Sequence, residues 1–272
     1  MASFIEEVKT RRSVRTFDGR SLDENTIEKL KGIASEAANP YSIPVTFGFF
    51  GAAEYDLSSP VLTGEHNYVT AKINVSPNCD VAYGYSFQKL LMAAHSMGLG
   101  TVWIGGTMPR AKFEKAADVK AGEIMPCVSP LGYTAKKMGM KESLMRKGVK
   151  ADTRYPFDKL FFSGDFTLPV TEDDAKKLGL FDALLAVQLA PSAVNKQPWR
   201  IVLDNGMAHF YEKKDAGYDN GTYDLQKVDL GIAMYNFEHE LVTEGKCPVF
   251  TVADPGIKID NDMEYIASYK LR

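Results

Sequence analysis

Residues 190–199 read Ala190-Pro191-Ser192-Ala193-Val194-Asn195-Lys196-Gln197-Pro198-Trp199 and follow an apolar stretch with helical spacing. Two prolines bracket four small or amide-bearing residues, and a tryptophan opens the next strand. A plain connection needs one turn signal, and this one carries several. The loop offers the Ser192 hydroxyl and the Asn195 and Gln197 amides between rigid ends, groups that suit a neutral polar heteroaromatic. The same residues also suit a helix stop with Trp199 anchoring the following hairpin in the core.

On either side of this loop the chain reads as alternating helices and strands. Upstream, Thr171 with Asp173 and Asp174 predicts a helix over Glu172–Ala190. Downstream, Asn205-Gly206 suits a type I′ hairpin turn within 200–211. A mostly apolar helix follows over Leu230–Thr243, and 248–254 closes as a strand. Earlier, Ser3 with Glu6 and Ser21 with Glu24 read as capping boxes of two helices. Strands are predicted at 45–53, 101–106 and 123–133, a buried helix over 81–97, and a short helix near Arg110–Ala117. Gly84 to Gly98 and Gly231 to Gly245 repeat one spacing at an offset of 147, and the helices before them share their order. This reads as a duplication, with halves 1–160 and 161–272 in an α+β chain.

The totals constrain partners. The 272 residues carry 32 basic and 35 acidic side chains, a net charge of -3, so no broad basic field invites nucleic acid. No apolar run reaches the roughly 20 residues of a membrane span, and MASFIEEVKTRRS lacks a signal-peptide core. A cytoplasmic location is expected. Cys79, Cys127, Cys247 and the four histidines have neither disulfide nor metal-ligand spacing, so no metal is expected.

Two other stretches bear chemistry. Arg11-Arg12-Ser13-Val14-Arg15 can surround a phosphate with guanidinium forks, or form a solvated basic helix end. Gly98–Gly106, GLGTVWIGG, can admit a flat ligand close to its backbone, or be a helix cap running into a core strand. No Ser-His-Asp or Cys-His arrangement is evident, so no catalytic side chain is assigned.

Together, RRSVR, GLGTVWIGG, Leu131-Gly132-Tyr133 and PSAVNKQPW resemble the flavin-dependent nitroreductases, in which two subunits interlock around FMN. In that family the PS-x-x-N-x-QPW loop follows the arginine motif closely. Here the matching early segment, NPYSIPVTFGFF (39–50), has lost it, and the later half lacks RRSxR. The chain therefore resembles the single-chain branch typified by Thermotoga nitroreductases, whose halves mimic the family homodimer.

The resemblance implies one site assembled from both halves. Arg11, Arg12, Ser13 and Arg15 would hold phosphate and ring edge, with Arg154 reaching the phosphate. Ile104, Gly105 and Gly106 would lie along the ring, the Gly105 amide near N5. Pro191, Ser192, Ala193 and Asn195 would pack on the isoalloxazine and ribityl chain. The implied activity is NAD(P)H oxidation, with NADH or NADPH giving hydride to flavin N5 and a nitroaromatic or quinone taking it, as a monomer. A flavin carrier or sensor with little turnover, or a fold without cofactor, are the other readings.

Overall fold

The computed structural model describes residues 3–271. Met1 and Ala2, part of the stretch read for a signal peptide, and Arg272, at the end of the second expected half, lie outside the described residues. The chain divides into two compact units, residues 10–151 and residues 1–9 with 152–272. Helix α1 (Phe4–Thr10) leads from one into the other, burying Phe4, Ile5 and Val8. Ser3 accepts from the amides of Glu6 and Glu7 through its backbone oxygen.

In the unit 10–151, α2 (Glu24–Ser35) starts at Asp23, whose carboxylate accepts from Thr26 N at 2.8 Å. The N-cap is therefore Asp23 rather than Ser21, because an Asp immediately before the helix satisfies the free first-turn amides directly. Strand β1 (Val45–Gly51) pairs antiparallel with β2 (Asn67–Asn74), the central strand. The buried helix α3 (Cys79–Ser96) follows, and Tyr83 donates to the Cys127 carbonyl at 2.5 Å. Helix α4 (Arg110–Ala116) precedes β3 (Glu123–Ile124) and β4 (Val128–Leu131), both paired with β2. A single strand running into a loop was expected over 123–133. Instead it breaks at 125–127, where the Met125 and Pro126 carbonyls turn to the Arg110 guanidinium. The expected strand 101–106 is also absent as a regular element. It makes isolated bridges, Ser13 with Thr101 and Ile104 with Val128, that tie the arginine segment to the core. Helix α5 (Met140–Gly148) ends the unit.

In the other unit, α6 (Phe157–Leu160) runs into β5 (Phe161–Ser163), which is parallel to β6 (Trp199–Asp204). The expected helix 172–190 is two: α7 (Glu172–Lys177), with a full Thr171–Asp174 capping box, and α8 (Phe181–Gln188). Gly179, at φ 65°, makes the break, since a left-handed residue ends a helix. β6 and β7 (Met207–Lys213) form the hairpin, with Asn205 and Gly206 both at positive φ as a type I′ turn requires. Helix α9 (Leu225–Thr243) is buried almost all round. The sheet finishes with β8 (Val249–Thr251) and β9 (Met263–Lys270), in the order β5-β6-β7-β9-β8. The closing strand is thus β9, inserted between β7 and β8, rather than 248–254.

Each unit ends its central helix the same way. After α3, Gly98 N bonds His95 O and Leu99 N bonds Ala94 O; after α9, Gly245 N bonds Val242 O and Lys246 N bonds Leu241 O. Both glycines sit at φ 80°.

Candidate functional site

The arginine segment lies on the apolar cluster that includes Val14, Phe17, Val102, Ile104 and Val128. Val14 donates its amide to Thr101 O at 2.9 Å, which fixes alternate side chains of the segment. An acid that sequence reading passed over organises it. Glu142, in the first turn of α5, has a fully buried side chain. It takes a charge-assisted bond from Arg12 Nη1 and the Arg15 amide at 2.9 Å. Arg12 is therefore committed to Glu142. Arg15 is half-buried, and its Nε is buried with no hydrogen-bond partner. Burial holds its guanidinium below the usual arginine range, opposed by Glu142 and reinforced by Arg146. Arg11 and Ser13 are half-buried on the same segment.

Ile104 is buried and bridges Val128 in both directions at 2.9 Å. Gly105 is half-buried and gives its carbonyl to Arg110 Nη2 at 3.1 Å, while Gly106 is exposed with open space where a Cβ would stand. Arg110, which also holds Met125 and Pro126, fixes this turn. An Arg opening a short helix gave no sign of that role in the sequence.

In the other unit, the loop after α8 is wound tightly. Val194, Asn195 and Gln197 have φ of 46°, 60° and 51°, all left-handed and none glycine. A β-branched residue there is strained. The loop's polar side chains turn inward to hold that shape. Ser192 Oγ accepts from Gln197 N at 2.9 Å; Gln197 Oε1 accepts from Tyr155 N at 2.9 Å and its Nε2 donates to Asn195 O at 3.2 Å. Asn195 donates to Thr153 O at 3.0 Å and accepts from Arg154 Nη1 at 3.3 Å. Arg154 also donates to Leu189 O at 3.3 Å. Arg154, Ser192 and Asn195 thus share one hydrogen-bond network through Gln197. Gln197 serves that network rather than presenting a free amide. Trp199 is fully buried, anchoring the hairpin.

Behind the loop lies a set of buried acids. Asp229, from α9, accepts the Ala193 amide at 2.9 and 3.1 Å. Burial pushes its carboxyl well above the usual range, and Asp224 and Glu212 add to the shift against the Ala193 bond. Glu212, on β7, is fully buried with neither carboxylate oxygen hydrogen-bonded by the usual geometry. Burial and Asp224 push it up to about 8. Among the described residues, one further trio, Asp182, Glu240 and Glu244, brings carboxylate oxygens within 4.8 Å of one another. Lys246 already donates to Glu244 at 2.5 Å.

A model of the family described as "Putative TM nitroreductase" matches residues 3–240. A solved structure of a nitroreductase-type protein from Thermotoga maritima superposes with a TM-score of 0.63 at 18% identity, covering 99% of this chain and 94% of that one. A Methanothermobacter thermautotrophicus protein, named for NADH dehydrogenase and NAD(P)H nitroreductase, is 26% identical over 156 residues, 51% of this chain and 81% of that protein.

Proposed function

Because this chain belongs to the TM-type nitroreductase family, matched across residues 3–240, we propose that it is an FMN-dependent NAD(P)H oxidoreductase. What supports the reading is that the match spans both the arginine segment and the 191–195 loop. The buried, unpartnered Arg15 Nε adds a donor of the kind an anionic ligand satisfies. When bound, the flavin supplies the centre that passes hydride from NADH or NADPH to a nitroaromatic, quinone or similar acceptor.

The chain's own residues bind and orient. Arg11, Ser13 and Arg15 hold the phosphate and the electron-rich ring edge, while Arg12 braces the segment through Glu142. Arg154 reaches toward the phosphate from the loop network it already anchors. Ile104, Gly105 and Gly106 offer a flat, side-chain-poor surface. Pro191, Ser192, Ala193 and Asn195 give a rigid wall. No side chain acts as nucleophile. The duplication lets one chain do this as a monomer in the cytoplasm, without nucleic acid, membrane or metal.

The test is a titration of purified protein with FMN, followed by NADH and NADPH. The expected result is a flavin spectrum shifted from that of free FMN, bleached by reduced nicotinamide and restored by a nitroaromatic or quinone. A spectrum unchanged from free FMN at micromolar protein overturns the reading. Uptake without nicotinamide oxidation assigns a carrier or sensor instead.

A further inference from the structure

We infer that Asp229 is a positioning residue for the 191–197 loop, holding the Ala193 amide so that Pro191–Asn195 keep the shape that receives the flavin; this rests on the reading above. Three observations carry it. Both carboxylate oxygens of Asp229 face one backbone N–H, at 2.9 and 3.1 Å. Asp229 is 4% exposed, so water does not compete for that bond. The residues just beyond Ala193 hold three left-handed non-glycine conformations within four positions, a shape that the surrounding structure must impose.

Other loop bonds run among Ser192, Asn195, Gln197, Tyr155 and Thr153, and Arg154 joins Asn195 to the Leu189 carbonyl at the end of α8. Asp229 ties the loop to a second helix, α9, which is buried almost all round and whose first turns are fixed by the Asp224 cap. A buried carboxylate is a demanding choice for the task, opposed by Asp224 and Glu212. An amide oxygen would serve the same N–H without the charge, and that difference makes the idea testable.

The experiment compares wild type, Asp229→Asn and Asp229→Ala in the full chain. It measures thermal midpoint, hydrogen exchange of the Ala193 amide without flavin, and FMN affinity by fluorescence quenching. Asp229→Ala should speed Ala193 exchange and weaken FMN binding about 10-fold or more, the loss of one buried hydrogen bond. Asp229→Asn should retain slow exchange and come within about 3-fold of wild-type affinity, since its oxygen replaces the carboxylate. If Asp229→Ala does not fold, Asp229→Asn still decides, because a 10-fold loss there with slow Ala193 exchange overturns the inference. Equal FMN affinity in wild type and Asp229→Ala, with exchange accelerated, also overturns it. Wild type that binds no FMN defeats the functional reading itself, an outcome distinct from any failure confined to the variants.

Discussion

Glu142 illustrates how one carboxylate can organise a basic segment. With its side chain wholly buried, it takes the Arg12 guanidinium and the Arg15 amide, so removing it leaves two donors facing a low-dielectric space. Arg12 remains a third exposed, which moderates the cost. Glu142→Ala should lower stability by about 1–3 kcal/mol in chemical denaturation. Glu212 sets a different test. Its folded-state value, about 8, is raised by burial and by Asp224 above that of an unfolded glutamate. The folded state therefore binds its proton more tightly, and stability falls as pH rises through the window from the ordinary glutamate range to about 8. The slope is at most about 1.4 kcal/mol per pH unit. Glu240, raised to about 7 by burial and by Glu244, slopes the same way over a narrower window. Thermal midpoints from pH 5 to 9 should drop less steeply in Glu212→Gln than in wild type; equal slopes would refute the assignment.

At the level of elements, helix ends and turns were legible because their chemistry is local. Gly98 and Gly245 both cap at φ 80° with open space around the missing Cβ, so the cost of Gly→Ala at either is backbone conformation alone. Each should lose about 1–2 kcal/mol, with nearly equal shifts in thermal midpoint. Asn205-Gly206 and the helix start at Thr171 were legible for the same reason. What was not legible depended on distant partners. Thr101–Gly106 has strand-like residues, yet its bridges go singly, Thr101 to Ser13 and Ile104 to Val128. The strand β9 escaped because the loop before it ran on from an apparent last strand. In the loop, sequence showed which side chains were polar but not that they bind one another. Its strain is separately testable. Val194 is exposed and left-handed, so Val194→Asn should raise stability by up to about 1 kcal/mol in denaturant titration, since Asn tolerates that conformation.

For the whole molecule, the important feature is that residues 1–9 group with 152–272 rather than with the segment that follows them. Phe4 packs edge-on against Tyr235 and His239, with ring centroids 5.9 and 4.5 Å apart, and Ile5 and Val8 are buried beside it. Phe4→Ala should cost about 3–5 kcal/mol and raise amide exchange in α9 while sparing β1 and β2. The site's residue types were legible from four short motifs, but its supports, Glu142, Arg110 and Asp229, were not. Glu142 and Asp229 work through backbone amides 127 and 36 residues away, and Arg110 through carbonyls on both sides of its own short helix, partners that no local pattern marks.

That arrangement also orders events on the ribosome. Residues 10–151 can collapse as soon as they emerge, whereas the greasy face of α1 must wait for α9, made long after that unit. Through that interval the nascent chain carries α1 with its apolar face uncovered, so chaperone capture of this segment should be the step that governs yield.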